Sequence, residues 1–215
     1  MRAAFDALLY PREHHSRSPD PGPFSNYHRY KRPLQWEFRR KCVYCREADG
    51  LKGYEAFGVD HYLARSNTGK TEAAAWENLF YACNVCNGWK GASVSTPELF
   101  LPNPCDHVMA EHLQYRDNGG VDTNSRHGAW LADLLRLSSQ PRRDRRRFIV
   151  SALGLHLIAY NELAETLRLI DKARRATGGS DPDLLREYQQ TLEELETVAE
   201  AIERLTGEPV PPVYP

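Results

Sequence analysis

Two Cys-x-x-Cys turns, Cys42–Cys45 and Cys83–Cys86, limit what this chain can fold into more than any other feature of it. Each turn sets two thiolates on one side of a tight loop, at the span a tetrahedral ion requires, and two turns complete a four-cysteine site. A site closed in this way is structural, because no position is left for substrate or water. The 37 residues between the pairs, 46 to 82, exceed the spacing of a simple zinc ribbon, so a small subdomain must lie between the halves. Two disulfides are the rival reading. Met1 to Asp6 opens no apolar leader segment, and a cytoplasmic chain favours metal over disulfide. Zn2+ is therefore the expected structural ion. The fifth cysteine, Cys105, reads as a buried thiol without chemistry.

The enclosed segment reads as strand, loop, strand and short helix. Glu55 to Tyr62 is a strand-compatible run that ends at Asp60-His61 and Tyr62. Leu63 to Gly69 follows as a loop, Trp76 to Ala82 as a second apolar run, and Asn84 to Lys90 as a helical turn or two. The residue types in this order point to phosphodiester hydrolysis. That reaction needs a water deprotonated near neutral pH, and histidine is the side chain whose ordinary pKa suits the task, so His61 is the candidate general base. A hard cation, Mg2+ or Mn2+, must offset charge on the phosphate and the leaving oxygen, and it takes oxygen ligands. Asp60 and the side-chain oxygen of Asn87 supply two. Taken singly, each residue has a plainer reading as a turn, a cap or a solvated side chain; the joint order carries the signal.

Three segments, Val59-Asp60-His61-Tyr62-Leu63-Ala64-Arg65-Ser66, Glu77-Asn78-Leu79-Phe80-Tyr81-Ala82-Cys83 and Cys86-Asn87-Gly88-Trp89-Lys90, closely resemble the motif of the HNH nuclease family. The resemblance implies a ββα-metal finger, a hairpin and helix around one divalent ion. It implies that Asn78 supports the base. The family's third position is often histidine; Asn87 here tilts the catalytic ion toward Mg2+ or Mn2+. Lys90, Arg39, Arg40, Lys41 and Arg65 are the candidate phosphate contacts. A weaker resemblance rests on Asn103-Pro104-Cys105, on Tyr115 followed by Gly119-Gly120, and on the leucine-rich helix beyond. It is to HNH nucleases paired with ATPases in Septu-type and retron-associated antiphage systems. That implies DNA as substrate and an ATPase partner protein, and leaves homo-oligomers open. The alternative is a non-catalytic zinc-stabilised module that binds nucleic acid or protein.

The charge is graded along the chain: net +3 over residues 1–100, +2 over 101–147 and −6 over 148–215. A nucleic-acid face is thus expected on the first two-thirds and a protein-facing acidic surface on the rest. No apolar run is long enough to span a membrane. The expected fold class is α+β. Residues 1–33 read as an extended N-terminal arm, where five prolines argue against helix and where Tyr27, His28, Arg29, Tyr30, Lys31 and Arg32 mix aromatics with cations; a plainly solvated arm is the rival. Residues 34–100 form the finger domain, beginning with a short helix. Residues 101–140 form a connecting hairpin, with a strand His112–Arg116 and an Asn118-Gly119-Gly120 turn, and a helix Trp130–Leu137. Residues 141–206 form a helical hairpin. Pro141 starts its first helix, Gly178-Gly179 ends it, and Asp181-Pro182 starts the second. Arg142, Arg143, Arg145, Arg146 and Arg147 make the first turns cationic, which invites phosphate or an acidic partner; a solvated face is the rival. Residues 207–215 read as a loose tail.

Overall fold

The computed structural model describes residues 4, 6–22, 24–93, 95–96 and 98–210, the Lys70 side chain excepted. The part of the expected loose tail at 211–215 lies outside the described residues. The architecture is α+β. Its nucleus is an antiparallel pair, β1 (Phe57–His61) and β2 (Leu79–Cys83), in register from Phe57↔Cys83 to His61↔Leu79. Every residue of β2 is buried, as a strand covered on both faces must be. Helix α1 (Lys31–Glu37) precedes the pair, the single turn α2 (Lys70–Ala73) lies in its connection, and α3 (Asn84–Lys90) follows it.

Helix α1 begins at Lys31, three residues earlier than expected. Pro33 sits in its first turn, where a missing N–H leaves no intrahelical bond unmade. Of the two aromatics on α1 and just after it, Phe38 packs inward against Phe80 (ring centroids 5.5 Å) and Trp36 stays exposed. The N-terminal arm has little regular structure up to Asn26, yet it is held against the finger. Arg17 lies over the rings of Trp76 (4.6 Å) and Phe80 (4.9 Å) and donates to the carbonyls of Trp76 and Leu79. The Trp76 indole N–H donates back to the Ser18 carbonyl at 2.9 Å. The solvated arm is thereby corrected. A guanidinium that lies over the rings of Phe38, Trp76 and Phe80 and donates to carbonyls at and just before the start of β2 holds the segment against the finger.

The connecting region contains the expected hairpin, β3 (Leu113–Tyr115) with β4 (Val121–Thr123), preceded by the turn α4 (Met109–His112). Gly119 takes φ +78° at its tip, a conformation glycine adopts freely. The next helix, α5, spans Arg126–Leu134 rather than Trp130–Leu137. Ser125 starts it by accepting from the Gly128 N–H at 3.0 Å. Gly128 is required on this helix, because a Cβ there would stand 1.9 Å from the His112 carbonyl oxygen.

The long hairpin is α6 (Gln140–Ala176) with α7 (Pro182–Thr206). Helix α6 has 37 residues, about 55 Å at the usual rise. Asp181 caps α7 by accepting from the N–H groups of Asp183 and Leu184, and Gly207 closes it in the left-handed region. Ile149, Leu153, Leu167 and Ile170 of α6 and Leu195, Ile202 and Leu205 of α7 are buried along the seam. The outer side of α6 leaves Phe148, Leu155, Ile158 and Leu169 exposed. Among the described residues no helix is long and apolar enough to cross a membrane.

Two glycines in helices should respond oppositely to alanine. Gly128→Ala forces α5 off the His112 carbonyl at the end of α4 and is expected to destabilise by about 1–3 kcal/mol. Gly88→Ala, where an added Cβ meets nothing within 4 Å, is expected to stabilise α3 by about 0.5–1 kcal/mol. Denaturant melts of both variants check the signs; a Gly128→Ala protein as stable as wild type would contradict the close approach.

Candidate active site and metal centre

The four cysteines arrive from two places. Cys42 and Cys45 flank a turn closed by the Arg46 N–H on the Cys42 carbonyl (2.9 Å), and the Val43 N–H donates to Tyr81 of β2 at 3.0 Å. Cys83 ends β2 and Cys86 lies in the first turn of α3, where its N–H donates to the Cys83 sulfur at 3.5 Å. All four are buried and unbridged, and their Sγ atoms lie within 4.8 Å of one another. Cys45 and Cys83 are 3.8 Å apart, which matches the edge of about 3.8 Å expected for a tetrahedron with metal–sulfur bonds of about 2.3 Å. The donor set therefore fits a metal ion such as zinc.

A cation on α6 completes this centre. Arg142 donates to the Cys86 sulfur at 3.3 Å and lies 4.8 Å from the Trp89 ring centroid. Burial alone would lower its pKa, but the thiols of Cys86 and Cys45 more than reverse that and raise it. Arg146 is buried over Tyr115 (4.4 Å) and donates to the Gly119 carbonyl at 2.8 Å, and Arg145 pairs with buried Glu47 at 2.9 Å. Neither rival for the arginine run holds for these three: Arg142 and Arg145 dock the long helix onto the finger, and Arg146 docks it onto the connecting hairpin of the same chain.

Beside the clamp, β1 and α3 bring the motif residues together. Lys90 Nζ donates to Asp60 Oδ1 at 3.1 Å and to the His61 carbonyl at 2.7 Å. One turn earlier on α3, the Asn87 amide nitrogen reaches the Val59 carbonyl at 3.4 Å, leaving its amide oxygen as a free acceptor. Tyr44 donates to Asp60 Oδ2 at 2.5 Å. Asp60 is 2% exposed, and its carboxylate is oriented by a phenol and an ammonium. His61 is half-buried. Its pKa is pushed down chiefly by burial, with Asp60 opposing and Arg65, Lys90 and His28 adding to the depression. A depressed imidazole is neutral at pH 7 and can accept a proton. Oxygen donors on Asp60 and Asn87 fit a hard divalent ion, although any ion on Asp60 would share the carboxylate with Lys90.

With this geometry in place, residues 42–93 match the HNH endonuclease family. This segment is similar to an HNH endonuclease domain. Over a longer stretch the chain is similar to the Septu protein PtuB of Bacillus mycoides (strain KBAB4), 22% identical over 219 residues that span 87% of this chain and 72% of PtuB. No solved structure matches.

The HNH domain uses several residues differently from the sequence reading. Asn78 does not touch the His61 ring. Its Oδ1 accepts from the Leu63 N–H at 2.7 Å and its amide donates to the Leu63 and Ala73 carbonyls, both at 3.1 Å. It pins the loop that leaves the base. Lys90 has no exposed side-chain surface, so it holds Asp60 and cannot meet phosphate. Arg40 pairs with Asp49 (3.1 Å) and Glu203 (2.6 Å), and Lys41 with Glu208 (2.5 Å). Both are committed to the far end of α7, which docks there because Gly50 and Gly207 permit backbone contact with Arg204 and Arg39. Arg39 is exposed, 3.8 Å from Glu208. Of the five candidate phosphate contacts, exposed Arg65 is the one beside His61. Cys105 is half-buried, and burial pushes its thiol up to about 11. The parts played by Tyr44 and Arg142 had no signal in the sequence, since each acts through contacts 16 and 56 residues away.

Cys83→Ser is expected to abolish metal content and unfold the finger, since folding and metal binding are coupled. Arg142→Met should leave the fold intact but weaken metal retention about 10–100-fold, read as accelerated release to a chromogenic chelator. Release at the wild-type rate would remove Arg142 from the centre.

Proposed function

We propose that this chain is a metal-dependent HNH endonuclease that hydrolyses phosphodiester bonds in DNA and serves antiphage defence as the nuclease member of a Septu-type pair. The observation that carries the reading is the neutral imidazole of His61 at the end of β1, inside the segment that matches the HNH family and next to Asp60, with Asn87 reaching the neighbouring Val59 carbonyl. In this reading Zn2+ occupies the four cysteines and holds β2 and α3 against the first cysteine turn. Asp60 and Asn87 hold Mg2+ or Mn2+, which when bound offsets charge on the phosphate and the leaving oxygen. His61 takes the proton of the attacking water, and Lys90 and Tyr44 keep Asp60 in place. Asn78 fixes the backbone that follows the base, and Arg65 meets a phosphate oxygen. The products carry 5′-phosphate and 3′-hydroxyl ends. The similarity to PtuB supports the defence setting. The long hairpin, acidic on α7 and bare of cover on the outer side of α6, suits docking to a partner protein such as an ATPase.

One observation favours the second reading, a non-catalytic zinc module: both oxygens of Asp60 already have partners. The two readings separate on cleavage and on a second metal. With Mg2+ or Mn2+ the wild-type protein, together with its partner, should nick supercoiled plasmid, and EDTA should stop it. His61→Ala should lower the rate by about 10²–10⁴-fold, as loss of a general base does, with zinc content unchanged. Equal cleavage by His61→Ala refutes the base assignment. Absence of cleavage with zinc as the sole bound metal supports the module.

A further inference from the structure

A catalytic histidine is usually oriented through the ring nitrogen that does not face the reacting water. His61 lacks that device among the described residues. Its Nε2 is buried without a hydrogen-bond partner, and Asn78 is committed to Leu63 and Ala73. What the ring does meet is Tyr27. The two centroids are 4.6 Å apart with the planes at 69°, an edge-to-face arrangement that is attractive and directional. Tyr27 also packs on the His28 ring at 4.0 Å and lies under the Arg65 guanidinium at 5.2 Å.

Tyr27 is itself firmly placed. It opens the turn Tyr27–Tyr30, which Asn26 caps by accepting from the His28 N–H. At the other end of the turn, buried Tyr30 packs at a tilt against Trp76 (ring centroids 5.5 Å) and donates to the Gly22 carbonyl at 2.8 Å. The segment thus reaches the finger core through Trp76, independently of His61.

We propose that Tyr27 is a positioning residue of the active site. Its ring takes the place of the missing hydrogen bond as the constraint on the His61 imidazole, and its face carries Arg65 to where a phosphate of the substrate strand binds. The inference rests on the reading of His61 as the base. Charge supports the choice of ligand. Arg65 makes no ion pair among the described residues, and the neighbouring carboxylate, Asp60, is buried and paired with Lys90. An anion arriving beside His61 therefore meets an uncompensated guanidinium, and stacking on tyrosine leaves the nitrogen fork of Arg65 free for phosphate oxygens.

Three variants test this, each assayed well below its melting temperature. In protein with the cysteine clamp loaded and no Mg2+ or Mn2+ added, the His61 ring-proton resonances, identified by their loss in His61→Ala, should keep their aromatic ring-current shift in Tyr27→Phe and lose it in Tyr27→Leu. With Mg2+ and supercoiled plasmid, Tyr27→Phe should cut like wild type. Tyr27→Leu should lose about ten- to a hundredfold in kcat, the effect of misplacing a catalytic group, with KM little changed. On the His61→Ala background, Arg65→Ala should reduce the slope of log affinity against log salt for a short duplex by about 1. Unshifted His61 resonances or undiminished kcat in Tyr27→Leu overturns the role of Tyr27, and an unchanged salt slope overturns that of Arg65. If wild type cuts nothing, the nuclease reading fails, while the resonances still decide whether Tyr27 fixes the imidazole.

Discussion

The four sulfurs are the constraint from which the remainder of this structure follows. The β1–β2 pair has five residues per strand, and a lone two-stranded hairpin is marginal in water. Its partners are one short helix on either side. Gathering Cys42, Cys45, Cys83 and Cys86 around one point ties the end of β2 to the start of α3 and to the turn after α1. That tie fixes the angle at which α3 leaves the sheet, and hence where Asn87 and Lys90 stand relative to Asp60 and His61. The chemistry residues make no contact with the sulfurs, yet their mutual placement depends on them.

Four thiolates around a divalent ion carry a net charge of −2, and burying that charge uncompensated is unfavourable. The start of α6 answers this with Arg142 on Cys86. Arginines in the first turn of a helix oppose the helix dipole by some tenths of a kcal/mol each. The opposing gain is larger, because a charge-assisted hydrogen bond in a buried setting is worth about 1.5–3 kcal/mol. Glu47 repeats the pattern, buried and met by both Arg145 (2.9 Å) and Lys52 (2.5 Å). The helical hairpin is therefore an integral support of the finger at its base, gripped by α6 at the clamp and by the end of α7 at Arg40 and Lys41.

How much of this was readable in the residues depends on range. The clamp, the strand–loop–strand–helix order and the caps of the long helices were legible, because each is written in residues a few positions apart: Cys-x-x-Cys, Asp181-Pro182, Asn118-Gly119-Gly120. The start of α5 was misplaced by four residues because Ser125 was passed over as a cap in favour of the apolar run. The cationic residues were the least legible. Arg40, Lys41, Lys90, Arg142 and Arg146 all read as surface charge facing an outside anion, and all are spent on carboxylates, carbonyls or a sulfur of this chain. Charge shows in sequence, but its partner does not when it lies 27 to 167 residues away, as for Arg146 with Gly119 and Lys41 with Glu208.

The Lys90–Asp60 pair shows what such internal use does to a site. Removing either partner would leave a buried charge alone, which is far worse than never having had the pair. A carboxylate locked to an ammonium and a phenol is also fixed in orientation, because each of its oxygens has a partner. The same lysine holds the His61 carbonyl, which couples the backbone of the base to the state of Asp60 through a single nitrogen. Arg65, left outside this network and lying over Tyr27, is the exposed positive charge beside His61.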